Sequence, residues 1–214
     1  KVRPNDMWQA DFKGHFQMQN GERCYPLNIL DDCSRFCLCS DALRNETLGE
    51  VKPVFQRLFR EYGLPFSLLC DNGNPWGTSQ SMGYTAFEVW LMELGVLTIH
   101  GRPLHPQTQG KDERYNRSFT RECLNLNSFL DIADAQLKFD AYRSFYNNIR
   151  PHCALDLKVP SAVFQKSEHP FPEKVIDWEY GPEYQRCKVS ETGYFSYGGH
   201  RYFLSEGFRG KSIA

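Results

Sequence analysis

Apolar and polar residues alternate at the start of the chain. Trp8, Ala10 and Phe12 recur at every second position within residues 7–18, which places Asp11 on the opposite face of the same segment. A period of two is the spacing of a β-strand with one buried face. The pattern therefore predicts a strand whose core face is largely aromatic and whose other face carries a carboxylate.

Two more strand patterns follow, over residues 23–32 and 34–43. The dipeptide Asn20-Gly21, which lies between the first pattern and the second, is typical of a tight hairpin turn. Three consecutive antiparallel strands are therefore predicted for the first part of the chain.

The period lengthens to that of a helix from Thr47 onward. Apolar residues then recur at three- and four-residue spacing, and Gly63 is expected to end the helix. Thr47 and Glu50 have the spacing of a capping box, while Pro53 indicates a kink or a later start. The following "PFSLLC" is predicted to be a short buried strand that delivers Asp71 at its carboxyl end.

Further helices and one strand are predicted for the middle of the chain. "TAFEVWLMELG" is expected to be a helix closed by Gly95, and "VLTIHG" is expected to be a strand. A long helical region then runs to about Asn148. The apolar residues that lie near one face of this region are Leu130, Ala133, Leu137, Ala141, Phe145 and Ile149.

This order of elements predicts the fold class. Three antiparallel strands followed by alternating helices and strands favour an α/β layer sandwich built on a mixed sheet. In open α/β sheets, functional sites form outside the carboxyl ends of the central strands. Asp71 is expected at such an end.

The pattern changes again after the long helical region. Residues 150–180 are rich in proline, and the segments beyond them are short alternating strands joined through Gly198-Gly199. The prediction is a core over residues 1–165, a linker over 166–182 and a small, truncated β-module over 183–214.

Composition narrows the function classes. The 214 residues include 25 Lys and Arg against 26 Asp and Glu, so any nucleic-acid surface must be a local patch. No run approaches the roughly 18 apolar residues of a membrane helix. The chain opens without an initiator Met or a signal-peptide pattern, so we expect a soluble fragment of a longer protein. Its eight cysteines lack paired ligand spacing, which favours reduced thiols in a cytosolic protein.

Three separated carboxylates are candidates for chemistry. Asp11 lies in a predicted central strand, Asp71 precedes Asn72-Gly73 at a strand end, and Glu113 lies in the first turn of a predicted helix. Each has an ordinary alternative. Strand aspartates occur on solvated faces, "DNG" is typical of a turn, and acidic residues favour the positive end of a helix dipole.

Four sequence blocks occur in a fixed order along almost the whole chain. They are "PNDMWQADFKG", "LCDNG", "HPQTQGKDER" and "YNNIRPHCAL" with the following "VPSAVF". This series resembles the integrase-core transposases of bacterial insertion sequences, which are relatives of retroviral integrase. The resemblance implies a ribonuclease-H-like fold, a mixed five-stranded sheet flanked by helices. The tail is similar to the small SH3-like β-barrel that follows the core in one branch of these transposases.

The resemblance also implies a chemistry. Block by block, it assigns Asp11, Asp71 and Glu113 to an Asp-Asp-Glu triad that catalyses DNA strand cleavage and strand transfer without a covalent enzyme intermediate. The triad would bind two Mg²⁺ or Mn²⁺ ions with DNA present, Asp11 bridging them. The interval from Asp71 to Glu113 is 42 positions, longer than is common in the family, and the surplus is expected in residues 76–85.

A basic patch surrounds the third carboxylate. Adjacent helical residues point about 100° apart, so Asp112 and Glu113 cannot both face one metal, and Glu113 is the expected ligand. Residues 100–125 hold five Lys and Arg against three Asp and Glu. An ordinary Glu-Arg pair on a surface helix is the alternative explanation. The predicted DNA contacts in and beside this patch are Asn72, His105, Gln109, Lys111, Arg114, Arg117 and Arg121.

The last sequence block has an expected structural role, and the resemblance implies further partners. Arg150 and His152 are expected to fix the following segment against the core. The resemblance implies DNA partners, namely transposon ends and target, and several copies assembled on DNA. It also implies an N-terminal helix-turn-helix region outside this chain, and a bacterial cytoplasmic location, nucleoid-associated during activity. Two rival functions stay open, a catalytically silent DNA-binding or assembly module and a nuclease of the ribonuclease-H type.

Overall fold

The computed structural model describes residues 3–77, 83–101, 110–175 and 178–214, and omits the side chains of residues 110–112. Its main sheet contains β1 Met7–Phe12, β2 Phe16–Gln17, β3 Arg23–Asp31, β4 Cys37–Leu43, β5 Ser67–Cys70 and β6 Leu97–His100. The α-helices within these ranges are α1 Leu48–Tyr62, α2 Ala86–Glu93, α3 Gly110–Glu122 and α4 Ile132–Asn148. The C-terminal strands are β7 Cys187–Lys188, β8 Tyr194–Tyr197, β9 His200–Phe203 and β10 Ser212–Ile213.

The main sheet is mixed, as the order of elements predicts. Its central path runs β4-β3-β1-β5-β6, with antiparallel pairing among β1, β3 and β4 and parallel pairing of β5 with β1 and β6. The first predicted strand is interrupted after Phe12, and its second part, β2, pairs separately with β3. Asp71 follows β5 directly and lies at the carboxyl end of the parallel strands, where the sequence predicts it.

Helices cover both faces of this sheet. Trp8 and Ala10 belong to a core cluster with the buried faces of α1 and α2. A second cluster joins Leu30 and Cys37 of the sheet to the aromatic residues of α3 and α4. Because neighbouring strand residues point to opposite faces, Asp11 lies on the α3 side of the sheet. The predicted division of the first strand into a core face and a carboxylate face is confirmed.

The apolar face that the sequence indicates for α4 is not the face that the helix buries. Leu137, Phe145 and Ile149 are 71%, 42% and 66% exposed, respectively. The helix instead buries a different set with the same kind of spacing, namely Ala135, Phe139, Tyr142 and Tyr146. The helix carries two apolar stripes, and aromatic contacts with α3 determine which one is buried.

The predicted cap of α1 is also wrong, although its end is right. The Thr47 side chain donates to Asn45 and does not cap the helix, which begins at Leu48 and continues through Pro53. Gly63 ends it with a positive φ of 80° and donates its N–H to the Phe59 carbonyl.

The segment after α4 packs on the core before it reaches the C-terminal strands. Phe164 stacks on Phe36 at 4.3 Å between ring centroids, and Arg60 of α1 forms a salt bridge with Glu173 at 2.8 Å. The boundaries of the linker and of the β-module stay a prediction.

The C-terminal strands pair as β7 with β10 and β8 with β9, and they pack against α2. Phe208 and Val189 contact Val89, and the Tyr84 N–H donates to the Ser205 hydroxyl at 2.9 Å.

The eight cysteines are free thiols, as the sequence predicts. Burial raises the pKa of the Cys37 thiol to about 11, so this side chain is a neutral core group at physiological pH. Within the described part of the chain, no helix is both long enough and apolar enough to cross a membrane.

Candidate active site

Asp11 is held by a buried chain of polar side chains. Asn116 of α3 donates its amide to the Asp11 carboxylate at 2.6 Å, and Asn28 of β3 donates to the Asn116 carbonyl at 2.7 Å. The Ser40 hydroxyl donates to the Asn28 carbonyl at 2.7 Å and lies 2.6 Å from the Tyr115 hydroxyl. Because Ser40 uses its hydrogen on Asn28, Tyr115 is the donor to Ser40. Each donor thus points toward Asp11, which is the final acceptor.

The surroundings of Asp11 make its negative charge costly. Desolvation by burial, followed by the charge of Asp71, raises the pKa of Asp11 from 3.8 to about 6. The hydrogen bond from Asn116 and the charge of Lys13 act in the opposite direction and only partly offset this shift. The two aspartates are therefore electrostatically coupled, and a cation between them would relieve both the desolvation and the repulsion.

Asp71 lies where β5 passes into a turn. Its carboxylate accepts the Gly73 N–H at 2.8 Å, which is the local turn that "DNG" predicts. Its backbone carbonyl lies 2.9 Å from Nδ1 of His100, and Nε2 of the same ring lies 2.8 Å from the Glu88 carboxylate. The imidazole therefore connects the end of β5 to the start of α2.

Glu113 shares a cleft with Asp11. The cleft has a volume of about 540 Å³ and we call it the acid cleft; its lining residues are Asp11, Phe12, Lys13, Glu113, Asn116, Arg117, Thr120 and Arg121. Arg117 and Arg121 follow Glu113 at four-residue intervals on α3, as the spacing predicts.

The three predicted carboxylates are not brought together equally. Asp11 and Asp71 interact electrostatically, and Asp11 and Glu113 line one cleft. No group of three His, Cys, Asp or Glu side chains in the described ranges is arranged closely enough to hold a metal ion. The donor chemistry nevertheless fits a hard divalent cation, because the coupled pair offers carboxylate oxygens in a partly desolvated position.

Several residues of the site are not predicted by the sequence. Asn116 lies one helical turn beyond Glu113, a spacing that could have indicated a shared face. Burial and then the charge of Asp71 raise the pKa of Glu46, so Glu46 lies within electrostatic range of Asp71. Asn28 and His100 occupy unremarkable strand positions, and their partners come from distant parts of the chain.

The predicted DNA-contact residues separate into three groups. Arg117 and Arg121 line the acid cleft, whereas Arg114 lies on the other flank of α3. Asn72 is exposed beside Asp71 and donates to the Gly101 carbonyl at 3.2 Å. The predicted contacts outside the described residues or side chains are His105, Gln109 and Lys111.

Arg150 and His152 brace the segment that follows α4, as expected. Arg150 forms a 2.6 Å salt bridge with Glu122 of α3, and the His152 ring meets Tyr146 edge-on at 4.7 Å. The backbone of His152 accepts from Leu155 and Leu157 and so closes the next turn.

Comparison with known proteins agrees with this architecture. Two models of the integrase core domain match the chain, one over residues 1–106 and the other over residues 94–160. The chain is 30% identical over 161 residues to an uncharacterized 39.2 kDa protein of insertion element IS476 from Xanthomonas euvesicatoria, covering 75% of the chain and 44% of that protein. It is 30% identical over 165 residues to an uncharacterized 31.7 kDa protein of insertion element IS407 from Burkholderia multivorans, covering 76% and 56%. The chain thus spans about half the length of these relatives.

Solved structures share the fold at low sequence identity. The HTLV-2 integrase catalytic core domain, in complex with magnesium and in its trimeric form, superposes with a TM-score of 0.55 at 17% identity, over 77% of this chain and 99% of that one. A chain of the simian T-cell lymphotropic virus intasome, determined in complex with PP2A regulatory subunit B56 gamma, superposes with a TM-score of 0.61 at 19% identity, over 94% of this chain and 66% of that one. The fold is therefore ribonuclease-H-like. The chain belongs to the integrase-core family, and its listed relatives are proteins of bacterial insertion elements.

Proposed function

We propose that this chain is the catalytic core of a metal-dependent DNA transposase that cleaves and joins DNA strands. One observation carries the proposal: Asp11 is desolvated, coupled to Asp71 and positioned by a buried donor chain at the carboxyl end of the parallel strands. Membership of the integrase-core family supports polynucleotidyl transfer as the reaction class.

Asp11, Asp71 and Glu113 are the proposed metal ligands, and with DNA bound they would hold two Mg²⁺ or Mn²⁺ ions. Divalent ions held there would supply activation of the attacking oxygen and neutralisation of charge on the leaving oxygen. Asn116 fixes the orientation of the Asp11 carboxylate, and His100 fixes the carbonyl of Asp71. Glu113 approaches from α3, which brings Arg117 and Arg121 along the acid cleft as proposed phosphate contacts.

The remaining proposed roles are those of the nucleophile and of two residues beside the carboxylates. Water or a DNA 3′-hydroxyl is the nucleophile, so no side chain has to form a covalent intermediate. Lys13 lies beside Asp11 and lowers its pKa, so it contributes a fixed positive charge at the mouth of the acid cleft. Asn72 follows Asp71 and is exposed, so it is the proposed DNA contact at the strand-end side of the site.

The experiment is a strand-cleavage and strand-transfer assay with the full-length protein on its insertion-element ends. Asp11→Asn should abolish both steps with Mg²⁺ present, and EDTA should abolish them for the wild type. Asp156→Asn, a change of the same kind at an exposed residue, is the control. Activity of Asp11→Asn at the wild-type level, or activity in EDTA, would rule out the proposed mechanism.

The two rival functions give different results in the same assay. A silent DNA-binding or assembly module would bind DNA without cleaving it under any metal condition. A nuclease of the ribonuclease-H type would cleave but would not join a 3′-hydroxyl to a target strand. The proposal requires both cleavage and joining.

The proposed partners are transposon ends, target DNA and further copies of the chain. The neighbouring HTLV-2 structures are described as trimeric and dimeric forms. In this chain, the exposed stripe of α4 offers a surface for a second copy, through Leu137, Phe145 and Ile149. Recognition of the ends is assigned to a helix-turn-helix region outside this chain, and the proposed location is the bacterial cytoplasm, at the nucleoid.

A further inference from the structure

A second cavity lies on the flank of α3 opposite the acid cleft. Its volume is about 230 Å³, and we call it the arginine pocket; its lining includes Arg35, Arg114, Arg150 and His152. A water molecule has a share of liquid volume of about 30 Å³, so the pocket has room for a phosphate group with several waters.

The lining of the arginine pocket is strongly cationic. Three guanidinium groups come from separate parts of the chain, the β3–β4 turn, α3 and the end of α4, and no carboxylate is among the described residues that line the cavity. Glu122 offsets part of the Arg150 charge through its 2.6 Å salt bridge. Convergence of several guanidinium groups on one space is the arrangement that recognises phosphate oxygens.

His152 responds to this charge. Burial, and then the charges of Arg150, Arg35 and Arg114, lower its pKa to about 4. Its Nε2 atom is buried and has no hydrogen-bond partner within the described residues. The backbone of His152 closes the following turn and its ring packs against Tyr146. Neither contact gives Nε2 a hydrogen-bond partner.

Arg35 adopts a backbone conformation that arginine disfavours. Its φ is 62°, in the left-handed region where glycine or asparagine is more stable. Non-glycine residues in this region persist at a cost, and such outliers cluster at functional sites. The side chain of Arg35 also donates to the Asp32 carbonyl, and this hydrogen bond fixes the guanidinium beside the β3–β4 turn. The unfavourable backbone is accounted for if the side chain is needed in the pocket.

We propose that the arginine pocket binds one backbone phosphate of DNA, with Arg35, Arg114 and Arg150 as its ligands. The pocket and the acid cleft lie on two flanks of α3, and an α-helix with side chains is about 10–12 Å across. A phosphate in the pocket is therefore close enough to belong to the same duplex that occupies the acid cleft. The choice of DNA as the source rests on the proposed function.

The test measures binding without catalysis. The full 214-residue chain is titrated into a short labelled duplex of random sequence in EDTA, over a series of salt concentrations. Arg35→Asn removes the guanidinium and suits the left-handed backbone, so its melting temperature should equal or exceed that of the wild type. Arg114→Gln, at an exposed helical position, is the second variant. Arg23→Gln, at the exposed start of β3, is the matched control.

Each pocket variant should weaken duplex binding about tenfold, because a charge-assisted contact to phosphate is lost. The slope of log K against log salt should become shallower for each variant, because one of the positive charges that replace counterions at the phosphate is lost. Arg23→Gln should leave affinity and slope unchanged. Folded pocket variants with wild-type affinity and slope would overturn the proposal.

Two further arms separate the possible sources and the possible failures. In the first, inorganic phosphate is titrated into the chain while the His152 ring signals are followed by NMR. Saturation by inorganic phosphate, together with unchanged duplex binding by the pocket variants, would make the site one for small anions and would overturn DNA as the ligand. In the second, Asp11→Asn is assayed for strand transfer with Mg²⁺ present. Loss of strand transfer in that variant tests the proposed function, whatever the pocket binds.

Discussion

The Asn116 amide lies 2.6 Å from the Asp11 carboxylate and is itself held by Asn28 at 2.7 Å. Asn116 therefore connects the carboxylate of the central strand to helix α3, which also carries Glu113. A donor to a carboxylate favours its charged form and restricts its rotation. The same amide thus couples the position of α3 to the charge state of Asp11.

Removing this amide should weaken metal binding more than it weakens the fold. In Asn116→Ala, Asp11 loses a donor and the Asn28 amide loses its acceptor, so the free energy of unfolding should fall by about 1–3 kcal/mol. Loss of a residue that orients a metal ligand costs about 10–100-fold in metal affinity. Calorimetric Mg²⁺ titration and thermal melting are the measurements. Asn148→Ala, at an exposed position of α4, should change neither, and Mg²⁺ affinity unchanged in Asn116→Ala would contradict the positioning role.

The pKa of Asp11 gives the stability of the chain a defined pH dependence. Its folded value of about 6 exceeds its ordinary value of 3.8, so the folded state holds the proton more tightly. The stabilisation from this protonation is complete below about pH 4 and is lost as the pH rises through 6. Asp11→Asn lacks this loss, so its melting temperature in EDTA should gain on the wild type between pH 4 and 7, by a few degrees.

Melting curves across this pH range check the sign. The control is Asp156→Asn at an exposed residue, whose difference from the wild type should stay constant with pH. Addition of Mg²⁺ at pH 7 should stabilise the wild type and leave Asp11→Asn unchanged. A melting temperature of Asp11→Asn that falls relative to that of the wild type as the pH rises would show that Asp11 is not destabilised by burial.

Glu88 has two roles that mutation can separate. Its carboxylate accepts from the Thr85 N–H in the capping box of α2 and lies 2.8 Å from Nε2 of His100, whose Nδ1 lies 2.9 Å from the Asp71 carbonyl. Thr85→Ala should cost about 1 kcal/mol of stability through the lost cap and leave strand transfer intact. Glu88→Ala should lose the cap and also release His100, so strand transfer should fall at a temperature where both variants are folded. Equal activity of the two folded variants would limit Glu88 to the cap.

The exposed stripe of α4 predicts self-association. Leu137 is 71% exposed and Phe145 is 42% exposed, so Leu137→Asp and Phe145→Asp should fold like the wild type. A carboxylate buried in an interface without a partner strongly disfavours association. Both variants should therefore sediment as smaller species than the wild type in analytical ultracentrifugation. Ser144→Asp, on an exposed polar position of the same helix, is the control, and unchanged sedimentation of all three variants would exclude this face as the interface.

The order of strands and helices could be predicted from the sequence, because the local patterns agree with the fold. The alternation at Trp8 and Ala10 predicts which face is buried, and the run before Asp71 predicts a strand end. Gly63 ends α1 as a residue with positive φ should. Each of these signals depends on neighbours within a few positions, which is the range that periodicity and turn chemistry describe.

Most of the errors and omissions arise where partners are distant in sequence; the wrong cap of α1 is the exception, because the Thr47 hydroxyl bonds its near neighbour Asn45 instead. Both stripes of α4 have helical spacing, and only contact with α3 selects Phe139 and Tyr142 for burial. The donor chain from Ser40 to Asp11 joins strands and α3 across gaps that no local pattern spans. The arginine pocket likewise assembles side chains from three separate elements, so its charge is invisible in the near-neutral composition.

Glu113 and Asp112 should have separable effects, because Glu113 lines the acid cleft with Asp11. Both residues lie in the first turn of α3, which begins at Gly110. Either carboxylate interacts favourably with the helix dipole by about 0.3–1 kcal/mol, so removing either should change stability only slightly. Stability therefore cannot distinguish the two residues, whereas metal binding can.

Glu113→Gln keeps the shape of the side chain but removes an anionic oxygen ligand. With DNA present, Mg²⁺ affinity and strand transfer should collapse, while melting in EDTA stays the same or rises slightly as repulsion from Asp11 is relieved. Asp112→Asn should keep strand transfer, since adjacent helical residues point about 100° apart. The measurements are strand transfer at saturating Mg²⁺ and melting in EDTA for both variants. If Asp112→Asn abolished transfer and Glu113→Gln did not, the metal ligand would be displaced by one residue, and Arg117 and Arg121 would no longer share its helical face.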